Sequence, residues 1–124
     1  MKLWFAAGAL SAAFSVILGA FAAHGLKGQI SDANMEVFRT GVQYHQIHSI
    51  AILIASGLTW LNEARARTAC FLFMQGTLLF SVSLYVLAVT DMKWLGAIAP
   101  LGGLSFITGW LALASAVQKP NDRT

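Results

Sequence analysis

The chain has 124 residues, of which 57% are hydrophobic and 10% charged. Soluble domains carry about 25% charged and 45–50% apolar residues, and a chain this short cannot hide such an apolar excess from water. A net charge of +3 with no basic cluster alternating with aromatics excludes nucleic acid as the expected partner, leaving the lipid bilayer.

A membrane helix needs roughly 20 predominantly apolar residues. The first candidate is LWFAAGALSAAFSVILGAFAA, about residues 3–23. Lys2 before it and Ala20-Phe21-Ala22 near its end also resemble a signal peptide and cleavage site. Signal-peptide apolar regions run only about 7–15 residues, so a retained anchor is expected. The span carries small residues Gly8, Ser11, Ala12, Ser15 and Gly19 at steps of three and four. Such stripes let membrane helices approach closely, which makes Gly8, Ser15 and Gly19 expected packing positions. His24 and Gly25 follow as the polar end and the stop.

Between this span and the next lies SDANMEVF. Ser31 is a good N-cap, Asp32 and Glu36 suit a first helical turn, and Met35, Phe38 and Val42 make an apolar edge. The expectation is a short amphipathic interfacial helix over about 32–40, with a bend near Gly41. One continuous tilted helix is the alternative.

The second span is apolar only from Ile47 to Leu61, so it is expected over about 41–61. Its polar end holds Gln43, Tyr44, His45 and His48. The third span is expected over about 68–89 and contains Gln75, an amide that hydrocarbon penalises unless it faces the bundle. Tyr85 sits in its last turns. The fourth, about 94–117, holds Pro100, which removes a backbone donor, then Gly102 and Gly103. It carries a second small-residue stripe through Gly109. The expected fold is therefore all-α: one membrane domain, an integral membrane four-helix bundle with a short interfacial helix between spans 1 and 2.

Four spans put Lys2, Arg65, Arg67, Lys119 and Arg123 on one side and Lys27, Arg39 and Lys93 on the other. Five against three favours both termini in the cytoplasm. His24, Gln43, Tyr44, His45, His48, Tyr85, Pro100, Gly102 and Gly103 would then share the outer layer as a candidate polar pocket. Three neutral imidazoles, His24, His45 and His48, are a metal-ligand set, a proton relay or simply interfacial polar groups. No paired carboxylates, no phosphate loop and no Ser-His-Asp pattern with an intramembrane acid occur, so no catalytic residue is expected, and the sequence names no cofactor. The leading function is a non-enzymatic assembly or accessory factor packing with copies of itself or other membrane proteins; the alternative is a small binder or transporter built around the histidines, and an intramembrane enzyme using Ser49 or Ser81 beside a histidine comes third.

GAFAAHGLKG, FRTGVQYHQIHSIAIL, SLYVL and APLGGLSFITGW, in this order, resemble the YgdD-like small membrane proteins. These carry domain of unknown function 423, and their eukaryotic relatives are called transmembrane protein 256. Ala22 and Val82 stand where the family's motifs have glycine. The resemblance implies a multi-pass inner-membrane protein and groups the outer-layer residues, but it implies no substrate or cofactor.

Overall fold

The computed structural model describes residues 1–119. Arg123, one of the charges weighed for topology, lies outside the described residues. Four helices account for the described chain: α1 (Lys2–His24), α2 (Asp32–Gly57), α3 (Glu63–Thr90) and α4 (Leu95–Ser115). Among the described residues no strand forms, and the one bridge pair is Leu61 with Val117. α1, α3 and α4 are each long and apolar enough to cross a membrane. α2 has the length, since 26 residues rise about 39 Å. Its polar middle keeps it from meeting the same standard of hydropathy.

The separate interfacial helix expected over 32–40 is instead the first part of α2. Ser31 caps it as expected, its side chain accepting from Asn34 N at 3.1 Å. The chain then continues helically through Gly41 without a break. Gly41 serves close approach rather than bending. A Cβ there would lie 2.9 Å from Tyr85 Cε1 and 3.2 Å from the Ser81 carbonyl, and Ser81 Oγ donates to the Gly41 carbonyl at 2.7 Å.

α3 starts five residues before the expected Thr68. Asn62 caps it by accepting from Arg65 N, Glu63 occupies the first turn, and Glu63 pairs with Arg67 across one turn at 2.7 Å. Its middle, Thr77–Ser81, widens into a π-helical turn. At its far end Asp91 adopts a left-handed conformation (φ 58°), which reverses the chain into α4. Pro100 sits inside α4 without breaking it. Its missing N–H falls early in the helix, and its ring lies on an exposed face.

α1 packs on α2, and α3 packs on both α2 and α4. The small-residue stripes lie at these seams within one chain. Gly8 faces Ile52, with room for a Cβ only 2.9 Å from Ile52 Cγ2, and Gly19 faces Val42. Ser15 is buried and donates to the Ala12 carbonyl. Gly76 and Gly109 admit Phe106 and Phe73 between α3 and α4. The core at one end gathers Ile52, Cys70, Phe73 and Phe106. Cys70 is fully buried there, so it should resist maleimide in the folded protein and react on unfolding, as read by mass shift.

Candidate functional site

His45 and His48 lie one turn apart on α2, but that spacing does not bring them to one site. Both are buried, but their rings turn to different neighbouring helices. His45 turns towards α1 and α3. Its Nε2 lies 2.9 Å from Ser11 Oγ and its Nδ1 lies 2.8 Å from the Tyr85 hydroxyl. Ser11 Oγ also lies 2.7 Å from Ser49 Oγ, and Ser49 donates its proton to the His45 carbonyl at 2.7 Å.

Counting donors fixes the direction of this chain. Ser49 spends its one hydrogen on a carbonyl, so Ser11 must donate to Ser49. Ser11 then has no hydrogen for the imidazole and accepts from His45 Nε2–H. Nδ1 of the neutral ring is left as the acceptor for Tyr85 O–H. Three helices, α1, α2 and α3, are thereby joined through His45.

His48 has the opposite tautomer. A carbonyl can only accept and an indole can only donate. His48 Nδ1–H donates to the Tyr44 carbonyl at 2.7 Å, and Nε2 accepts from Trp110 Nε1 at 3.1 Å. The ring stacks on Phe106 with centroids 3.5 Å apart and planes at 11°. Tyr44, Phe73 and Phe80 complete an aromatic cluster around it. Neither histidine presents an uncommitted ring nitrogen.

Two lateral grooves flank α2. One, of about 470 Å³, runs over Ser11, His45, Thr77 and Tyr85 between apolar walls that include Phe14 and Leu78. The other, of about 450 Å³, runs over Gln43, Tyr44, His48, Gly103 and Trp110. The residues expected to form one outer pocket are thus distributed. His45 and Tyr85 line the first groove, and Gln43, Tyr44, His48 and Gly103 line the second. Gly102 is buried at the α3–α4 seam. Pro100 and His24 belong to neither groove.

His24 ends α1, exposed. It is 13 residues from Ser11, or about 20 Å along the helix axis, so it cannot reach the His45 centre. Among the described residues no group of three His, Cys, Asp or Glu side chains is placed to hold a metal ion. The structure does not bring the three histidines together: depth along α1 keeps His24 apart, and His45 and His48 have different partners. Gln75 was expected to face inward. Its residue is exposed at the α3–α4 edge, and its carbonyl oxygen takes the Ser105 hydroxyl at 3.2 Å. Ser105 also reaches the Leu72 carbonyl at 2.8 Å.

Ser11 and Trp110 were not singled out as partners of the histidines. Ser11 stood only in a packing stripe. The signal that would have found it is a hydroxyl at mid-depth on one helix facing a histidine at mid-depth on the next.

A model of the family described as "Protein of unknown function (DUF423)" matches residues 18–103, more than half of the chain. The chain belongs to the DUF423 family. It is 43% identical over 121 residues to UPF0382 membrane protein YwdK of Bacillus subtilis (strain 168), covering 96% of this chain and 98% of the relative. A UPF0382 membrane protein of Staphylococcus haemolyticus is 43% identical over 119 residues, with the same coverage of each chain. No solved structure matches. The chain is accordingly a membrane protein, embedded in lipid through its apolar helices. The DUF423 match takes in His24, His45, His48 and Tyr85. Ser11 and Trp110, their partners across the seams, fall outside it.

Proposed function

We propose that this DUF423 protein is a non-enzymatic inner-membrane protein that crosses the bilayer four times as a four-helix bundle, and acts as an accessory or assembly factor. The observation that carries this reading is the commitment of both histidines. Each ring nitrogen of His45 and His48 is engaged by a partner inside the chain. The polar atoms in the middle of α2 are spent on holding helices rather than on a substrate or metal. Ser11 accepts from His45 instead of donating to it, the reverse of what an activated serine nucleophile requires.

α2 is the fourth crossing in this reading, because α1 and α3 flank its polar middle and supply the hydrogen bonds that hydrocarbon would not. Both termini then face the cytoplasm, as the flanking charges favour. Single cysteines introduced as Gln29→Cys and Trp60→Cys in a Cys70→Ala chain test this. Impermeant maleimide should label position 29 from outside and position 60 only after the membrane is opened. Labelling of both from one side would remove the fourth crossing. Tag-free protein should carry no stoichiometric transition metal by mass spectrometry. A bound metal at one per chain would restore the binder reading.

A further inference from the structure

α2 carries two more polar side chains in its middle, and the fold leaves both without partners. Gln43 is exposed and Gln46 half-buried. Among the described residues neither amide makes a hydrogen bond, although every buried polar side-chain atom there has one. Their depth is fixed by α1. Gly19 lies against Val42 and Gly8 against Ile52, so residues 42–52 run beside the middle of α1. Gln46 is therefore level with the middle of a membrane-spanning helix, near Ser15, and Gln43 lies about one turn nearer its His24 end, beside Leu18 and Gly19 and still within the span. Ile47, Ile50 and Ile54 continue the same outward strip and are 44%, 53% and 49% exposed. Steps of three and four keep these residues on one face.

We infer that this strip is the interface with a second copy of the chain, with Gln43 and Gln46 exchanging amide hydrogen bonds across a two-fold axis along the membrane normal. The inference rests on α2 crossing the membrane. A primary amide both donates and accepts, so it is its own complement. A two-fold axis along the normal places each residue and its symmetry mate at the same depth. Two glutamines that hydrocarbon penalises thus meet identical partners without any vertical shift. No charged residue occurs on α2 after Arg39, so the remaining contact is apolar. Gln75 is a different case. It lies at the α3–α4 edge, and its carbonyl is already engaged by Ser105.

The test uses the full chain in liposomes with Cys70→Ala. Oxidation should give covalent dimers from Gln46→Cys and from Ile50→Cys, and none from Leu78→Cys or Leu111→Cys, which are exposed elsewhere. In a separate measurement, energy transfer between labelled copies should follow lipid dilution. The Gln43→Leu/Gln46→Leu chain should associate at least about tenfold more weakly than the native chain, and the Gln75→Leu chain equally well. A native chain that stays monomeric at every protein-to-lipid ratio overturns the inference. So does a double leucine variant that associates as tightly as the native chain, or equal crosslinking at all four positions. The maleimide result at positions 29 and 60 separates the two failures. Opposite sides with no dimer refutes only the interface, and one side for both refutes the crossing beneath it.

Discussion

Replacing Gly102 with alanine should destabilise the protein by about 3 kcal/mol, the upper range of overpacking costs. A Cβ at Gly102 would lie 2.7 Å from Phe80 Cβ and 2.8 Å from the Leu79 carbonyl carbon, and it would also strike the Phe80 backbone nitrogen. Backbone cannot rotate away as the end of a side chain can. Relief requires α3 and α4 to separate, which would open the Gly76–Phe106 and Ser105–Leu72 contacts along the same seam. Phe80 belongs to the π-helical turn, where the helix is widened opposite Gly102, so the same substitution should also disturb that turn. Gly103→Ala is the control. It sits one residue on, with nothing within 4 Å of its Cβ position. Alanine there removes a helical glycine and should stabilise by about 0.5–1 kcal/mol. Denaturant or thermal unfolding in one detergent or lipid checks both. Equal midpoints for the two variants would mean that the α3–α4 approach is looser than these distances.

What the sequence could express about this fold is local or composition-wide. Apolar length located α1, α3 and α4 within a few residues, and Ser31 announced the start of α2 by its capping chemistry. The failure at Gly41 is instructive. A helical glycine before a polar-to-apolar transition reads as a bend, yet its cause is Tyr85, forty-four residues away in sequence. The same limit governs the histidines. Spacing of three places His45 and His48 within one broad face of α2, but whether they share a site depends on where α1, α3 and α4 stand around that helix. Those neighbours split them: Ser11 and Tyr85 draw one ring, Trp110 and Phe106 the other. His24 shows the opposite error. Grouping by proximity to helix ends put it with His45, whereas antiparallel packing sets Ser11, not His24, beside that ring. Gln75 was legible as a costly amide, but its partner, Ser105 on the next helix, was not.

Removing the His45 ring should cost about as much as the Gly102 clash, for a different reason. His45→Ala leaves Ser11 without its donor and Tyr85 without its acceptor, and opens a cavity between three helices. Large-to-small changes in cores cost about 2–5 kcal/mol for aliphatic side chains. Each orphaned polar group adds a penalty, although hydrogen bonds between membrane helices average only about 0.6 kcal/mol. A loss of about 3 kcal/mol follows. Tyr85→Phe keeps the ring packed against Phe38 and removes one hydroxyl, so it should cost about 1 kcal/mol. Combining the two tests the directed chain itself. Once His45 is gone the Tyr85 hydroxyl has lost its acceptor, so Tyr85→Phe in the His45→Ala chain should cost nothing or stabilise slightly. The resulting coupling of about 1 kcal/mol is read from four unfolding curves in a double-mutant cycle. Additive costs would show that Tyr85 and His45 are neighbours without being partners, and the polar core of α2 would lose its role in joining α1 to α3.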